Sequence, residues 1–420
     1  MKLLSIYKIG LLIAVFLVLS SASSKAYSVF AHEAVIDATW EKYLKPALKE
    51  RFPNAADTAL KTAHAYAYGG SLVADMGYFP FGNVYFTNLA HYVRSGEFVD
   101  NLINESQNIY EYAFALGALS HYVTDKYGHS LATNLAVPVV YPKMRKKYGN
   151  VVTYDDDHTS HSRMEFAFDV IQTAKGNYSP QAYHDFIGFK VARPVLERAF
   201  LKTYCQPLTS VFSDLDLTIG TFRWTVKSLL PGLTRTAWAL KKSDIEKMNP
   251  GITGEKFRYK MKRRLYYTEY GFKHQKPKLG AQLFALLIRI MPKVGPLKAF
   301  KFKPPGPEGE KLFANSFDTI VVHYGNAVVS LKNRKADFPD IDFDTGKRTE
   351  PEEYDLADIT YGQLVVKLEE DHFRNLTPSL RKNILNYYNK ADIETIESRH
   401  PKEWKKTSDA LQKLRAAIID

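Results

Sequence analysis

Apolar positions along the chain recur mainly with the period of a helix. Residues 32–50 (HEAVIDATWEKYLKPALKE) place apolar side chains at helical spacing with charges between them, and so predict a helix. Asn54 to Tyr68 predicts a second, opened by Asn54 and stopped by Gly69-Gly70. Residues 71–83 (SLVADMGYFPFGN) are rich in Gly, Pro and aromatics and predict a loop. Residues 105–127 predict one long, apolar, central helix. Further helices are predicted over 161–175, 179–203, 357–373, 378–390 and 402–418. Strand-like alternation is scarce, with Val151–Tyr154 and Thr319–His323 as weak candidates. No internal repeat is visible. The pattern therefore predicts an all-α chain.

Composition agrees with a folded protein, since hydrophobic residues make up 45% and charged residues 24% of 420. The first 26 residues depart from the rest. Lys2 and Lys8 precede the apolar run Ile9–Leu19, and Ser24-Lys25-Ala26 offers small residues for a signal peptidase. Cleavage after Ala26 would leave Tyr27 as the mature N-terminus and place the protein in a secreted or periplasmic setting. A retained membrane anchor is the competing reading. The lone cysteine, Cys205, excludes an internal disulfide and is expected to be a buried apolar residue.

Net charge is +12, which favours anionic partners such as phospholipid surfaces or nucleic acid. The excess is concentrated in residues 256–303, where fourteen Lys or Arg accompany one acid, Glu269. Anionic membrane docking, a core helix with a solvated flank and nucleic-acid binding all suit this stretch. Lys303-Pro304-Pro305-Gly306-Pro307 reads as a linker or sharp turn, and residues 333–356 as a polar loop. The chain accordingly divides into a leader (1–26), a catalytic part (27–250) and a basic helical extension (251–420). No protein partner is inferable.

The chemistry is carried by histidines and carboxylates. His121, Asp125 and His129 stand at i, i+4 and i+8, on one face of the long apolar helix. Burying two imidazoles and a carboxylate together is costly unless something pairs them, and a divalent metal does so. A hydrogen-bonded polar cluster at a helix end is the plainer alternative. His161 and Glu165 repeat the i, i+4 spacing. Asp75 lies in the Gly- and Pro-flanked loop, and His91 follows in LAHYV. His32 lies five residues after Tyr27, whose amine and carbonyl would be able to chelate a metal. His158 is a possible substitute for His161, while His64 and His184 read as ordinary helix residues.

The ordered set N-terminus, His32, Asp75, His91, His121-x3-Asp125, His129, His161-x3-Glu165 resembles the zinc-dependent phospholipase C family. That family includes the N-terminal domain of glycosylphosphatidylinositol-specific phospholipase D. Fungal single-strand zinc nucleases share its fold and ligand order. The resemblance spans roughly residues 27–200 and implies a multi-helix bundle with three zinc ions in a cleft. Asp75, His91, His121 and Asp125 would hold one ion. Tyr27, His32 and the bridging Asp125 would hold its neighbour, and His129, His161 and Glu165 the third. The resemblance further implies phospholipid hydrolysis by a hydroxide between the close pair, with Asp75 as the base that orients it.

Tyr27 replaces the family's usual Trp. The Asp125–His129 gap is shorter than in the secreted bacterial enzymes and looks more like the phospholipase D branch. Phospholipase D-type cleavage, a single-strand nuclease and a non-enzymatic, metal-stabilised helical binding protein therefore stay open as alternatives.

Overall fold

The computed structural model describes residues 28–179, 181–248, 301–332 and 338–417. Among these every regular element is a helix, and β pairing is confined to one antiparallel bridge between Ile341 and Arg348. The leader, Tyr27 and nearly all of the basic stretch lie outside the described residues.

The chain is organised around the Ile109–Gly128 helix. Asn108 starts it by accepting from the amides of Tyr110 and Glu111, which satisfies two donors of the first turn. Its run AFALGALS supplies small residues, so the neighbouring Asp57–Gly70 helix packs close along it. A Cβ on Gly117 would stand 2.2 Å from the carbonyl oxygen of Ala67, and one on Gly70 1.9 Å from that of Phe114. Only glycine permits this approach.

Beyond Gly128 the helix does not stop. It widens into a π turn, His129–Thr133, and resumes as Asn134–Val140. Pro138 lies in that last segment and removes a helical donor, which frees the carbonyl of Asn134. The amide of Val152 takes up that carbonyl at 2.9 Å. The π turn thus sits where the candidate chemistry is densest, a common place for such insertions.

Several expectations change. Thr319–His323 is not a strand. It lies inside the helix Gly306–Lys332, whose buried stripe includes Phe313, Ile320, Tyr324 and Val328. Helical spacing of these anchors outweighs the β-branched run. Val151–Tyr154 is irregular backbone tied down by the Val152 bond. The helix expected over 179–203 is two helices, Gln181–Ile187 and Arg193–Tyr204, separated at Gly188, whose φ is +87°. The loop 71–83 contains a short 3-10 helix, Val73–Tyr78. Cys205 is buried.

The apolar core is continuous from Val29 to Leu414. The Gly306–Lys332 helix lies along Ile109–Gly128, and Tyr324 donates its hydroxyl to the carbonyl of Leu116 at 2.8 Å. Residues 340–346 then cross the Val84–Tyr92 helix. There the amide of Phe343 donates to the carbonyl of His91 at 3.2 Å, and Ser95 Oγ donates to that of Ile341 at 2.7 Å. No described helix is long and apolar enough to cross a membrane.

Candidate metal centre

Six elements deliver the candidate side chains to one place. The central helix carries His121 and Asp125 on one face, and the first residue of the π turn adds His129. His32 comes from the Val29–Thr39 helix and Asp75 from the 3-10 helix. His91 comes from Val84–Tyr92, whose first turn Asn83 caps by accepting from the Tyr85 amide at 3.0 Å. His161 and Glu165 share a face of His158–Lys175, which Asp157 caps through the Ser160 amide at 2.6 Å. All eight residues are at most 2% exposed.

Asp125 is the hub. Its Oδ1 lies 3.2 Å from His32 Nε2 and 3.6 Å from His129 Nε2. Its Oδ2 lies 3.1 Å from His121 Nε2 and 3.5 Å from His91 Nε2. Asp75 Oδ1 is 3.4 Å from His91 Nε2. Farther along, His161 Nδ1 is 2.9 Å from Glu165 Oε1, and the His129 and His161 rings stack with centroids 5.0 Å apart. Three groups of ligand atoms result: His32, His121 and Asp125; Asp75, His91 and His121; His129, His161 and Glu165. Within each, the atoms lie inside 4.8 Å of one another. Tyr27, expected beside His32, lies outside the described residues.

Whether these groups suit zinc is decided by where their lone pairs point. His121 donates from Nδ1 to the carbonyl of Ser71 at 2.9 Å, and His91 from Nδ1 to that of Thr87 at 2.9 Å. Each ring, when neutral, therefore turns a bare Nε2 inward, as backbone-anchored zinc histidines do. His161 Nε2 pairs with Asn134 Oδ1 at 2.8 Å, which turns its Nδ1 toward Glu165. The inward atoms His91 Nε2, His121 Nε2 and His161 Nδ1 make no hydrogen bond, and neither do the carboxylate oxygens of Asp75, Asp125 and Glu165. Buried polar atoms so close together and yet unbonded are rare. A cation between them satisfies all of them, and imidazole with carboxylate is an ordinary zinc donor set.

Protonation points the same way. Burial and the His129 and His158 imidazoles hold His161 well below its ordinary value, so it is neutral and able to ligate. Burial, then Asp125 and Asp344, push Glu165 well above the usual carboxylate range, a site short of positive charge. Burial opposes charge on Asp125, but His121 and His129 outweigh it and hold the carboxyl well below its usual range. Burial likewise opposes a proton on His91, yet Asp125 and Asp75 raise it to about 10. In the metal-free protein protons balance the carboxylates. Metal uptake would displace them and would strengthen as pH rises.

Other sequence candidates fall elsewhere. His158 stacks on Tyr154 and bonds its carbonyl through Nδ1 at 2.6 Å, and it is not a member of the three ligand groups. His64 and His184, read as ordinary helix residues, pair with Asp37 at 3.1 Å and Glu33 at 3.1 Å. Two residues that no motif marked, Phe343 and Asp344, adjoin the centre. Phe343 packs on the rings of His91 and His121 at 5.0 and 5.6 Å. Asp344 Oδ1 stands 3.8 Å from His129 Nδ1.

Comparison with known proteins gives one finding. Residues 31–214 match the family model described as zinc dependent phospholipase C. No curated protein and no solved structure matches the chain. The matched segment contains all eight described donors, from His32 to Glu165. Over these residues, the chain is similar to the zinc-dependent phospholipase C family.

Proposed function

We propose that this protein is a secreted or periplasmic zinc-dependent phosphodiesterase that hydrolyses phospholipids by phospholipase C-type cleavage. One observation carries the reading: Asp125 is encircled by four imidazoles, with unbonded lone pairs of its own, of His91 and of His121 facing one another. The family match supports phospholipid as the substrate class. The leader-like first 26 residues support export.

Asp75, His91, His121 and Asp125 would hold one zinc, His32 with Asp125 and the Tyr27 backbone a second, and His129, His161 and Glu165 a third. Bound zinc would supply acidified water and a positive field for a phosphoryl group. The chain's own residues do the rest. Asp125 would be shared by the first two positions, since its Oδ1 faces His32 and its Oδ2 faces His121. Asp75 has two carboxylate oxygens without hydrogen bonds and would accept the proton of the attacking water. The Ser71 and Thr87 carbonyls keep His121 and His91 in the ligating tautomer. Phe343 and Tyr78 wall the His91 side with apolar surface and restrict water.

The test is turnover by the purified full chain of a chromogenic phosphocholine ester and of single-stranded DNA, with and without a chelator. Chelator-sensitive release of phosphocholine supports the proposal. Activity on DNA alone assigns the centre to a nuclease, and zinc binding without turnover of either assigns it to structure. Phosphatidic acid in place of diacylglycerol, from a natural lipid, would assign D-type cleavage.

A further inference from the structure

We propose that Asp344 donates its carboxylate to the cation held by His129, His161 and Glu165, so that the metal centre is completed by a part of the chain beyond the family match. This rests on the reading of that cluster as a metal site.

His129 Nδ1 faces two carboxylate oxygens. Asp344 Oδ1 is at 3.8 Å and Glu165 Oε1 at 3.9 Å, and that same Glu165 oxygen lies 2.9 Å from His161 Nδ1. Donors around a tetrahedral zinc with bonds of about 2.0–2.1 Å stand about 3.3 Å apart, so these spacings are those of a shell drawn slightly open. Three protein donors leave one position, and Asp344 Oδ1, beside His129, is the carboxylate we assign to it. At 3.8 Å its contact with His129 is too long for a hydrogen bond, so the carboxylate is not there merely to orient that imidazole.

The chain holds Asp344 in this pose deliberately. Its Oδ2 accepts from the hydroxyl of Tyr92 at 2.8 Å and from that of Tyr354, which leaves Oδ1 turned to His129. Its carbonyl accepts from Asn134 Nδ2 at 2.6 Å, and Asn134 Oδ1 in turn pairs with His161. One amide thus fixes the loop and a metal-facing imidazole together. The loop closes at Gly346, whose φ of +71° and close approach to the Lys126 carbonyl favour glycine. Asp344 itself is 3% exposed.

The experiment compares the full chain with Asp344→Asn and Tyr354→Phe. Zinc per chain is measured by mass spectrometry at fixed free zinc, affinity by competition with a chelating dye, and Tm in EDTA and in zinc. Asp344→Asn is expected to lose one zinc per chain, or to bind its weakest ion about tenfold or more less tightly, with the EDTA Tm unchanged. Tyr354→Phe keeps the carboxylate and is expected to keep the zinc. Wild-type zinc content and affinity in Asp344→Asn would overturn the proposal, as would equal zinc loss in both variants, which marks a structural loop. Should Asp344→Asn fail to fold, anomalous diffraction from the zinc-loaded wild type decides. A zinc–Oδ1 distance near 2.0–2.2 Å supports the proposal, and one beyond about 3 Å overturns it. A wild type that takes up no zinc would instead remove the metal reading itself.

Discussion

Replacing Asp125 with asparagine strikes the centre where most contacts meet. The amide keeps the shape of the carboxylate and removes its charge. Four imidazole nitrogens lie 3.1–3.6 Å from the oxygens it replaces, all buried. Removing one partner of a buried charge interaction costs about 3–5 kcal/mol. At about 1.36 kcal/mol per factor of ten, that is a loss of roughly 10² to 10⁴ in affinity for the zinc it holds. Asp125 would be a ligand of two of the three proposed ions, so two ions should weaken and turnover should fall at least as far. The metal-free fold should survive, because the new amide N–H can donate to His121 Nε2, which the Ser71 carbonyl leaves as an acceptor. The assay is a zinc competition titration beside phosphocholine-ester hydrolysis, with circular dichroism as the folding control. A folded Asp125→Asn variant with wild-type affinity and turnover would refute the reasoning.

Other perturbations separate packing from chemistry. Phe343→Ala should cost about 3–5 kcal/mol of stability by emptying a buried ring site against His91 and His121, read as a lowered denaturant midpoint. Gly117→Ala should cost about 1–3 kcal/mol, because its methyl meets the Ala67 carbonyl; an unchanged Tm would show that the two helices can part freely. His184 supplies a pH signature. Burial opposes its charge, but Glu33 and Asp37 outweigh burial and raise its pKa to about 9. The folded pKa exceeds the ordinary 6.5, so this pair stabilises fully below pH 6.5 and fades as pH rises through about 9. His184→Gln should flatten the stability profile across that window, and an unaltered slope would exclude the pair as its source.

Local periodicity made part of this centre readable. His121, Asp125 and His129 declare themselves because i, i+4 spacing on an apolar helix fixes a shared face before any tertiary contact is known. The same holds for His161 and Glu165. Asp75, His91 and His32 had no such signal of their own; they gained meaning only as members of an ordered set. Phe343 and Asp344 were invisible for a plain reason. Their loop reaches His129 only because the Gly306–Lys332 helix returns along the central helix, and no local spacing encodes that return. Local rules also misled. The β-branched run in Thr319–His323 imitates a strand, but Ile320 and Tyr324 are successive anchors of one helical stripe. Gly306-Pro307 reads as a turn, yet it opens that helix, where proline's missing N–H costs nothing.

The most direct measurement is diffraction from the zinc-loaded protein with anomalous data collected at the zinc edge. The expected map has strong peaks between Asp125 and the His32, His91 and His121 imidazoles, and another among His129, His161 and Glu165. Zinc found only at surface sites, with the Asp125 cluster empty at saturating metal, would contradict the claim that these buried donors form one metal centre.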